Sequence, residues 1–492
     1  MPLWLSRHSS QSDGGLSRHN NLRREFMRWF YCLLSVVFVL FQGCDFMKPH
    51  TDHPIIYPAQ GVAPVEELPA VDTPQRAVQN SFFDPNDYSG SDIERINAAL
   101  KDAGSCGGTV RIGKRKPAIQ ISGGNAITTL EERDIWLIDS AMLVPGGVHL
   151  IIDNTTVKLS NLCRDNMIRS ANCWENCGTV EPLKNIRITG VGNAVLEGAD
   201  VPRATGDGAK PLGRQGFVPK GPVSFGSDAG KAGEYQKGDW RNIGILLAKV
   251  SDFSIENLTI RDSHCWAISL EYCTNGKVRD IQFDSSNGKE INDTWQLFRN
   301  QDGLDLRRGC RDILIENITG HSGDDLIALT AIPSKPRPAG TGNSTMMLGG
   351  DEKVSDGDVC NITIRNVRGY CAGGHHIVRF LNTLGVKMYN IILDGVIDTS
   401  PSGHSNRAAV KIGDKNRNWG GVTPLGDTYG FHISNIHSRS KSAVLIAGSL
   451  QDSTISNVIN FNAENPNPID CTSGKQYLRN VKISNALNAA VK

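Results

Sequence analysis

A short pattern of apolar and polar positions recurs along the second half of the chain. It reads as an apolar residue, any residue, asparagine or aspartate, and a second apolar residue. The six copies are centred on Asn257, Asp280, Asn317, Asn366, Asn435 and Asn457. The two shortest intervals between copies are 23 and 22 residues, and alternating apolar residues surround the copies. Alternation with period two is typical of strands, and strands repeated at such intervals are typical of stacked rungs.

This repeat predicts an all-β fold, a right-handed parallel β-helix or solenoid. The repeated asparagine would occupy a bend in each rung, and its side-chain amide would bond to the next rung along the stack. A β-propeller is the alternative, but its blades need periods of about 40 to 50 residues and four strands each.

A short amphipathic helix is predicted before the repeat. Ser91 and Glu94 have the spacing of a capping box. The apolar residues that follow at helical spacing are Ile93, Ile96, Leu100 and Ala103. A helix in this place would cap the open end of the β-helix, whose first rung otherwise exposes unpaired backbone groups.

Carboxylates are concentrated in the segment "NQDGLDLRRGCRDILIENITGHSGDDLIAL", residues 300–329. Asp302 precedes Asp324 by 22 residues, and Asp325 follows at once. One rung of this length would give Asp302 and Asp324 equivalent places on neighbouring strands about 4.8 Å apart. Asp325 would face away from them on a regular strand, and a local bulge or bend would turn it back.

Clustered carboxylates repel one another, so one pKa rises while another stays low. A protonated and an ionised carboxyl group are what acid–base cleavage of a glycosidic bond requires. Because a water must fit beside them, inversion at the sugar carbon is expected. The rival interpretation of the adjacent aspartates is a calcium site, but no metal and no cofactor are predicted here.

The motifs "NQDGLD", "GDDLIAL" and "GGHH" resemble the Asn-Thr-Asp, Gly-Asp-Asp and Gly-His-Gly blocks of glycoside hydrolase family 28, the polygalacturonase family. This resemblance implies a right-handed parallel β-helix and a catalytic role for several residues. Asp324 would be the general acid, Asp302 and Asp325 would hold and activate the water, and His375 would orient the carboxylates. Asn300 would match the first residue of the first block.

The chain departs from the family pattern at Gln301, which replaces threonine, and at His376, which replaces glycine. In the last block, "AVKIGDK", Lys411 takes the place of an arginine that binds the sugar carboxylate. Lysine lacks the two parallel hydrogen bonds that arginine offers to a carboxylate. This departure disfavours galacturonate at this position, and Arg379, Arg407 or Lys415 is a candidate for the missing donor.

The predicted function is hydrolysis of a polysaccharide, pectin-like or another acidic glycan. Two alternatives stay open. A polysaccharide lyase on the same fold would release an unsaturated product that absorbs in the ultraviolet. A non-catalytic glycan-binding protein would release no reducing ends. The balance of 52 Lys and Arg against 51 Asp and Glu gives no field that favours nucleic acid. The chain is expected to act as a monomer.

The N-terminus has the layout of an export signal. "MRWFYCLLSVVFVLFQGC", residues 27–44, places a basic residue before an apolar run that is short for a membrane span. Its end resembles a bacterial lipobox, which makes Cys44 the predicted lipidation site. Residues 1–44 are thus predicted to direct export to the bacterial cell envelope, and the Pro-rich residues 45–80 to be a tether. A single catalytic domain is predicted over 81–492, in which Cys265, Cys310 and Cys360 are buried hydrophobic residues rather than metal ligands.

Overall fold

The computed structural model describes residues 81–117, 119–122, 125–128, 133–161, 163, 165–173, 180–200, 243–291, 293–298, 300–332, 354–383, 385–417 and 420–489. The predicted export segment, with Cys44, and the tether lie outside the described residues, so these assignments stay predictions. In the described part, no helix has the length and apolar character needed to cross a membrane.

The strands in chain order are β1 Phe82–Phe83, β2 Thr109–Ile112, β3 Ile119–Ser122, β4 Asn125–Thr128, β5 Trp136–Ile138, β6 Met142–Val144, β7 His149–Asp153, β8 Thr156–Leu159, β9 Ile168–Ser170, β10 Leu183–Lys184, β11 Arg187–Val191, β12 Val195–Glu197, β13 Ile245–Ala248, β14 Val250–Arg261, β15 Ile268–Glu271, β16 Thr274–Asp284, β17 Gly288–Ile291, β18 Thr294–Leu297, β19 Leu304–Leu306, β20 Arg311–Ser322, β21 Ile327–Ala331, β22 Val359–Cys371, β23 His376–Asn382, β24 Met388–Asp398, β25 Ala408–Ile412, β26 Thr428–Ser438, β27 Ser442–Ile446, β28 Leu450–Asn460, β29 Ile469–Cys471 and β30 Leu478–Asn488. Within the described ranges, one α-helix, α1, spans Asp92–Cys106, and short 3-10 turns lie at Pro85–Asp87, Val354–Gly357 and Lys475–Tyr477.

Two parallel sheets form the body of the described chain. One contains the long strands in the order β14-β16-β20-β22-β24-β26-β28-β30, preceded by shorter strands. The other has ten strands and contains the run β13-β15-β19-β21-β23-β25-β27-β29. From β13 to β16 and from β19 onward, successive strands thus alternate between the two sheets, so that each rung contributes a strand to both, which confirms the predicted parallel β-helix. Apolar residues of equivalent register stack through its interior, as Val278, Ile315 and Ile364 do, each fully buried.

The repeated asparagines lie at a bend in each long strand, as predicted. All six repeat positions have positive φ angles, between 52° and 60°. Asparagine and aspartate tolerate this left-handed conformation better than other non-glycine residues. The amides also bond along the stack: Asn366 donates to Asn317 at 2.7 Å, and Asn317 donates to Asp280 at 2.8 Å. The side-chain ladder predicted from the repeat is therefore confirmed.

Helix α1 caps the first rungs. The Glu94 carboxylate accepts a hydrogen bond from the Ser91 backbone N–H at 2.7 Å, as the sequence predicts. The helix buries its apolar face in the same core as the strands; its core residues are Ile93, Ile96, Ala99, Leu100 and Ala103. Cys265, Cys310 and Cys360 are buried in strand-rich regions, which also agrees with the prediction.

Candidate active site

The candidate catalytic residues lie where the chain enters three neighbouring strands of the ten-stranded sheet. Asp302 lies two residues before β19, and Asp324 and Asp325 lie in the bend between β20 and β21. His375 immediately precedes β23. Because β19, β21 and β23 are adjacent in the sheet, the three bends are neighbours. The fold brings together all four side chains predicted as catalytic.

The register corrects one expectation about these carboxylates. Leu304 pairs with Ile327, so one rung spans 23 residues here. Asp302 is therefore opposite Asp325, and the backbone N–H of Gly303 accordingly donates to the Asp325 carbonyl at 3.0 Å. The prediction that Asp302 and Asp324 hold equivalent places is wrong, because the rung is one residue longer than their spacing.

The same register continues into the next rungs and creates two columns of side chains. The inner column is Asp302, Asp325 and His376, since Ile327 pairs with Val378. The outer column, displaced by one residue, is Asp324, His375 and Arg407, since His376 pairs with Ala408. The names inner and outer column refer to these two sets below.

The columns differ in exposure. All three residues of the inner column are buried. In the outer column, the side chain of Asp324 is 26% exposed and that of His375 is 36% exposed, and Arg407 is exposed. One carboxylate oxygen from each of Asp302, Asp324 and Asp325 lies within 4.8 Å of the others. A ligand would therefore meet the outer column first, with the inner carboxylates directly behind it.

The two inner carboxyl groups have opposite charge preferences. Burial raises the pKa of Asp302 well above its usual value, and the neighbouring carboxylates Asp324, Asp305 and Asp325 raise it further. Burial also opposes ionisation of Asp325, but its contact with His376 and the charge of Arg379 outweigh it, so the pKa of Asp325 is lowered. Asp302 thus favours the protonated state and Asp325 the ionised state.

His376 holds one oxygen of Asp325 in place. Its backbone N–H donates to Asp325 Oδ1 at 3.0 Å, and its Nδ1 lies 2.7 Å from the same oxygen. Burial lowers the pKa of His376, so a neutral ring that carries its proton on Nδ1 fits this contact. His375, the predicted orienting histidine, instead places its Nδ1 3.6 Å from Asp324 Oδ1.

Arg379, Asp414 and Lys411 form a charged group on the outer face of the same sheet. Arg379 Nη1 donates to Asp325 Oδ2 at 3.2 Å, and its Nη2 donates to Asp414 Oδ2 at 3.2 Å. Lys411 Nζ donates to the same Asp414 oxygen at 2.7 Å. Two candidate substrate ligands, Arg379 and Lys411, are thus already bonded to carboxylates of the chain.

The other candidate ligands are placed as follows. Arg407 forms no ion pair with any residue in the described ranges. Lys415 Nζ donates to the Thr472 carbonyl at 3.0 Å. Asn300, in the left-handed region with φ 52°, ends the loop before Asp302. Its neighbour Gln301 is buried, and its amide bonds to Asn287 N and Ser263 O at 2.8 and 2.6 Å, which pins the chain at this point.

Two residues of this site were missed from the sequence. His376 was noted only as a departure from the family's glycine, yet the bend allows both histidines to contact carboxylates. Asp414 lies in the quoted block "AVKIGDK", three residues after Lys411. A search of that block for acidic partners of the lysine would have found it.

Comparisons with known proteins find one family match and several similar folds. The model of the family described as glycosyl hydrolases family 28 matches residues 179–336, which include the three aspartates. This match confirms the resemblance drawn from the motifs over that part of the chain. Among proteins with curated descriptions, none matches.

Solved structures with a similar fold include three carbohydrate-related proteins. An endo-xylogalacturonan hydrolase from Aspergillus tubingensis is 14% identical with a TM-score of 0.50, over 83% of this chain and 92% of that one. An exopolygalacturonase from Thermotoga maritima is 15% identical with a TM-score of 0.46, over 83% and 93%. A tailspike protein of E. coli bacteriophage HK620 is 14% identical with a TM-score of 0.46, over 81% and 62%. At such identities the first of these supports the parallel β-helix fold alone.

Proposed function

We propose that this protein is a glycoside hydrolase that cleaves a polysaccharide with inversion at the sugar carbon. The observation that carries the proposal is a cluster of three carboxyl groups, two buried and one partly exposed, with one oxygen of each within 4.8 Å of the others. Asp302 favours its proton and Asp325 its charge, whereas Asp324 is accessible. The match to the family 28 model over residues 179–336 supports the same reaction class.

In this mechanism Asp324 gives its proton to the glycosidic oxygen as the bond from that oxygen to the sugar carbon breaks. A water held by Asp302 and Asp325 attacks the carbon from the opposite face and loses a proton to Asp325. Asp324 suits the role of acid because its side chain is 26% exposed. Asp325 suits the role of base because its contacts with His376 and Arg379 lower its pKa and so favour the ionised form.

The spacing of the carboxylates alone does not select inversion. The separations within 4.8 Å are closer to the roughly 5 Å of retaining pairs than to the roughly 6.5–9.5 Å of inverting pairs. However, both oxygens of Asp325 are bonded, Oδ1 to His376 and Oδ2 to Arg379. A buried carboxylate held in this way is a poor nucleophile toward a sugar carbon but can accept a proton from water. Water is therefore the proposed nucleophile.

We further propose that the glycan carries acidic units, as pectin-like polymers do. Arg407 supports this proposal, since it extends the outer column and is exposed without an ion pair to a described residue. An arginine in this position offers a carboxylate two parallel hydrogen bonds. A carboxylate of the glycan would therefore bind at Arg407 rather than at Lys411.

The test is a panel of pectic, other plant and algal polysaccharides treated with purified protein. Hydrolysis is expected to release reducing ends, and NMR of the first product should show the inverted anomer. A retained anomer would overturn the water-attack mechanism. A product absorbing in the ultraviolet would indicate a lyase, and binding without any product would indicate a glycan-binding protein.

We propose export and lipid anchoring from the N-terminal sequence alone. Residues 27–44 have the signal layout that ends at Cys44. The substitution Cys44→Ala should move the protein out of the membrane fraction of a bacterial host that processes lipoproteins. A Cys44→Ala protein that stays membrane-bound and unprocessed would contradict the anchor.

A further inference from the structure

The outer face of the ten-stranded sheet carries two cations on neighbouring strands. Arg379 on β23 pairs in register with Lys411 on β25, which places their backbones about 4.8 Å apart. Stacked like charges repel. The chain offsets this repulsion with Asp414, whose Oδ2 accepts from Arg379 at 3.2 Å and from Lys411 at 2.7 Å.

The local backbone brings Asp414 to this position. Gly413 follows β25 with a φ of 72°, and a Cβ on it would lie 2.3 Å from Gly448 Cα. Only glycine fits that turn. Asp414 is then fixed through its second oxygen, since Oδ1 accepts from the Asn416 backbone N–H at 2.9 Å. The carboxylate is therefore held over the two cations by the backbone as well as by charge.

This arrangement leaves little positive charge for a ligand. The side chains of Arg379, Lys411 and Asp414 are only 18%, 13% and 14% exposed. Burial disfavours ionisation of Asp414, but the hydrogen bonds from Lys411 and Asn416 outweigh it and lower its pKa. A sugar carboxylate that approached this group would meet the ionised Asp414, and Asp325 lies on the other side of Arg379.

We propose that Asp414 determines specificity by excluding a carboxylate from the sugar unit that lies over Arg379 and Lys411. This subsite takes a neutral sugar, whose hydroxyl groups can donate to Asp414 and accept from Lys411. The inference rests on the proposed function, because it assigns a subsite to the same cleft. Together with Arg407, it points to a glycan in which acidic and neutral units occur in the same chain.

The test uses a matched pair of ligands, oligogalacturonates and the same oligosaccharides with their carboxyl groups reduced to alcohols. In Asp414→Asn the volume stays and the charge is lost, so Arg379 and Lys411 become available to a carboxylate. The ratio of kcat/KM for the acidic over the neutral ligand should rise at least tenfold. The gain should shrink at high salt, as expected for a charge interaction near the surface.

Asp470 provides a matched control. It lies in the same register two strands further on, because Lys411 pairs with Leu445 and Leu445 pairs with Asp470. Its carboxylate accepts hydrogen bonds from Ser442 and Asn465, at 2.5 and 2.6 Å, rather than from a cation. Asp470→Asn removes the same charge from the same face and should leave the ratio unchanged.

A second variant should change the ratio of kcat/KM for the acidic over the neutral ligand in the opposite direction. Lys411→Gln leaves Asp414 with Arg379 alone, so the ratio should fall further toward the neutral ligand. An unchanged ratio in both Asp414→Asn and Lys411→Gln, with melting temperatures near that of the wild type, overturns the inference. If Asp414→Asn does not fold, Lys411→Gln alone tests the specificity role of Asp414. A ratio of kcat/KM for the acidic over the neutral ligand that stays level or rises in Lys411→Gln would contradict the proposal.

Binding separates this inference from the proposed function. The same ligand pair is titrated calorimetrically into Asp324→Asn protein with and without Asp414→Asn. A shifted binding ratio without hydrolysis by wild type keeps the specificity role and removes the hydrolase. Hydrolysis with an unshifted ratio does the reverse, and the absence of both binding and hydrolysis contradicts both.

Discussion

The inner and outer columns stack on the same rungs but meet opposite surroundings. The inner column, Asp302, Asp325 and His376, is buried, and its contacts are made within the protein. The outer column, Asp324, His375 and Arg407, is one residue away along each strand and faces solvent to increasing degrees. One column sets the charge of the site, and the other is available to meet a ligand. A displacement of one residue is enough to divide these roles.

The asparagine ladder of the long-strand sheet shows why the inner column is costly. Amides both donate and accept, so Asn317 bonds to the rung before it and the rung after it. Stacked carboxylates cannot do this: burial beside the other carboxylates raises the pKa of Asp302, and Asp325 is held by bonds to His376 and Arg379. Strongly perturbed carboxyl groups in such a place indicate a functional site.

The largest expected effect is on activity. Asp324→Asn and Asp325→Asn should each lower kcat on the polysaccharide by about 10²–10⁴-fold, because each removes one partner of acid–base catalysis. The inner-column and outer-column variants should differ in whether a substrate with a good leaving group restores their activity. Asp324→Asn should regain activity on a substrate with a good leaving group, which needs no proton. Kinetics on an aryl glycoside and on the polysaccharide measure the difference.

Asp302→Asn is the control for this assignment. It keeps Asp324 and should not be rescued by the leaving group, since its defect is in holding water. Rescue of Asp302→Asn but not of Asp324→Asn would show that the buried residue is the acid. The double variant with both Asp302→Asn and Asp324→Asn should lose far less kcat than the product of the two single losses, because the residues act as a unit.

The next effect is on stability, and its sign should differ within the inner column. Asp325→Asn leaves Arg379 and His376 without their ionised partner, which typically costs about 3–5 kcal/mol for a buried pair. Asp302→Asn should instead raise the melting temperature at neutral pH, because the buried Asp302 carboxyl resists ionisation. Thermal unfolding of both variants checks these opposite signs.

The pH dependence gives an independent check. The raised pKa of Asp302 contributes stability below about pH 4, the unfolded value, that is lost as pH rises. Asp302→Asn should therefore flatten the fall in melting temperature on the alkaline side. The lowered pKa of Asp325 contributes stability above about pH 4 that is lost on acidification. Identical pH profiles for wild type and both variants would contradict this division.

The fold was largely predictable because its determinants are local and repeated. The asparagine at each bend and the apolar alternation specify a rung without reference to distant residues. The site depends on the register of its strands. The spacing of 22 residues between Asp302 and Asp324 suggested a rung of that length, whereas the paired strands show a rung of 23 residues. His376 and Asp414 act through bends at the ends of strands, where side-chain direction does not follow the alternation of a regular strand.

A third effect should appear in substrate affinity. Arg407→Met removes the exposed cation of the outer column and should raise KM for an acidic glycan by about tenfold, with little change in kcat. The loss should weaken at high salt. Lys415→Met is the matched control, because Lys415 is also exposed but bonds to the Thr472 carbonyl. Equal increases in KM for the two variants would remove Arg407 from the site.

The smallest expected effect is that of metal removal. The three aspartates are close enough to hold a divalent cation, and calcium binds clustered carboxylates. However, both oxygens of Asp325 are bonded to His376 and Arg379, and the raised pKa of Asp302 favours its neutral form. A cation would have to displace the Arg379 guanidinium and a proton to gain three ligands. Activity on the polysaccharide should therefore change less than twofold after dialysis against EDTA. A loss that calcium restores would show instead that the columns hold an ion, and Asp325→Asn would then abolish calcium binding in calorimetry.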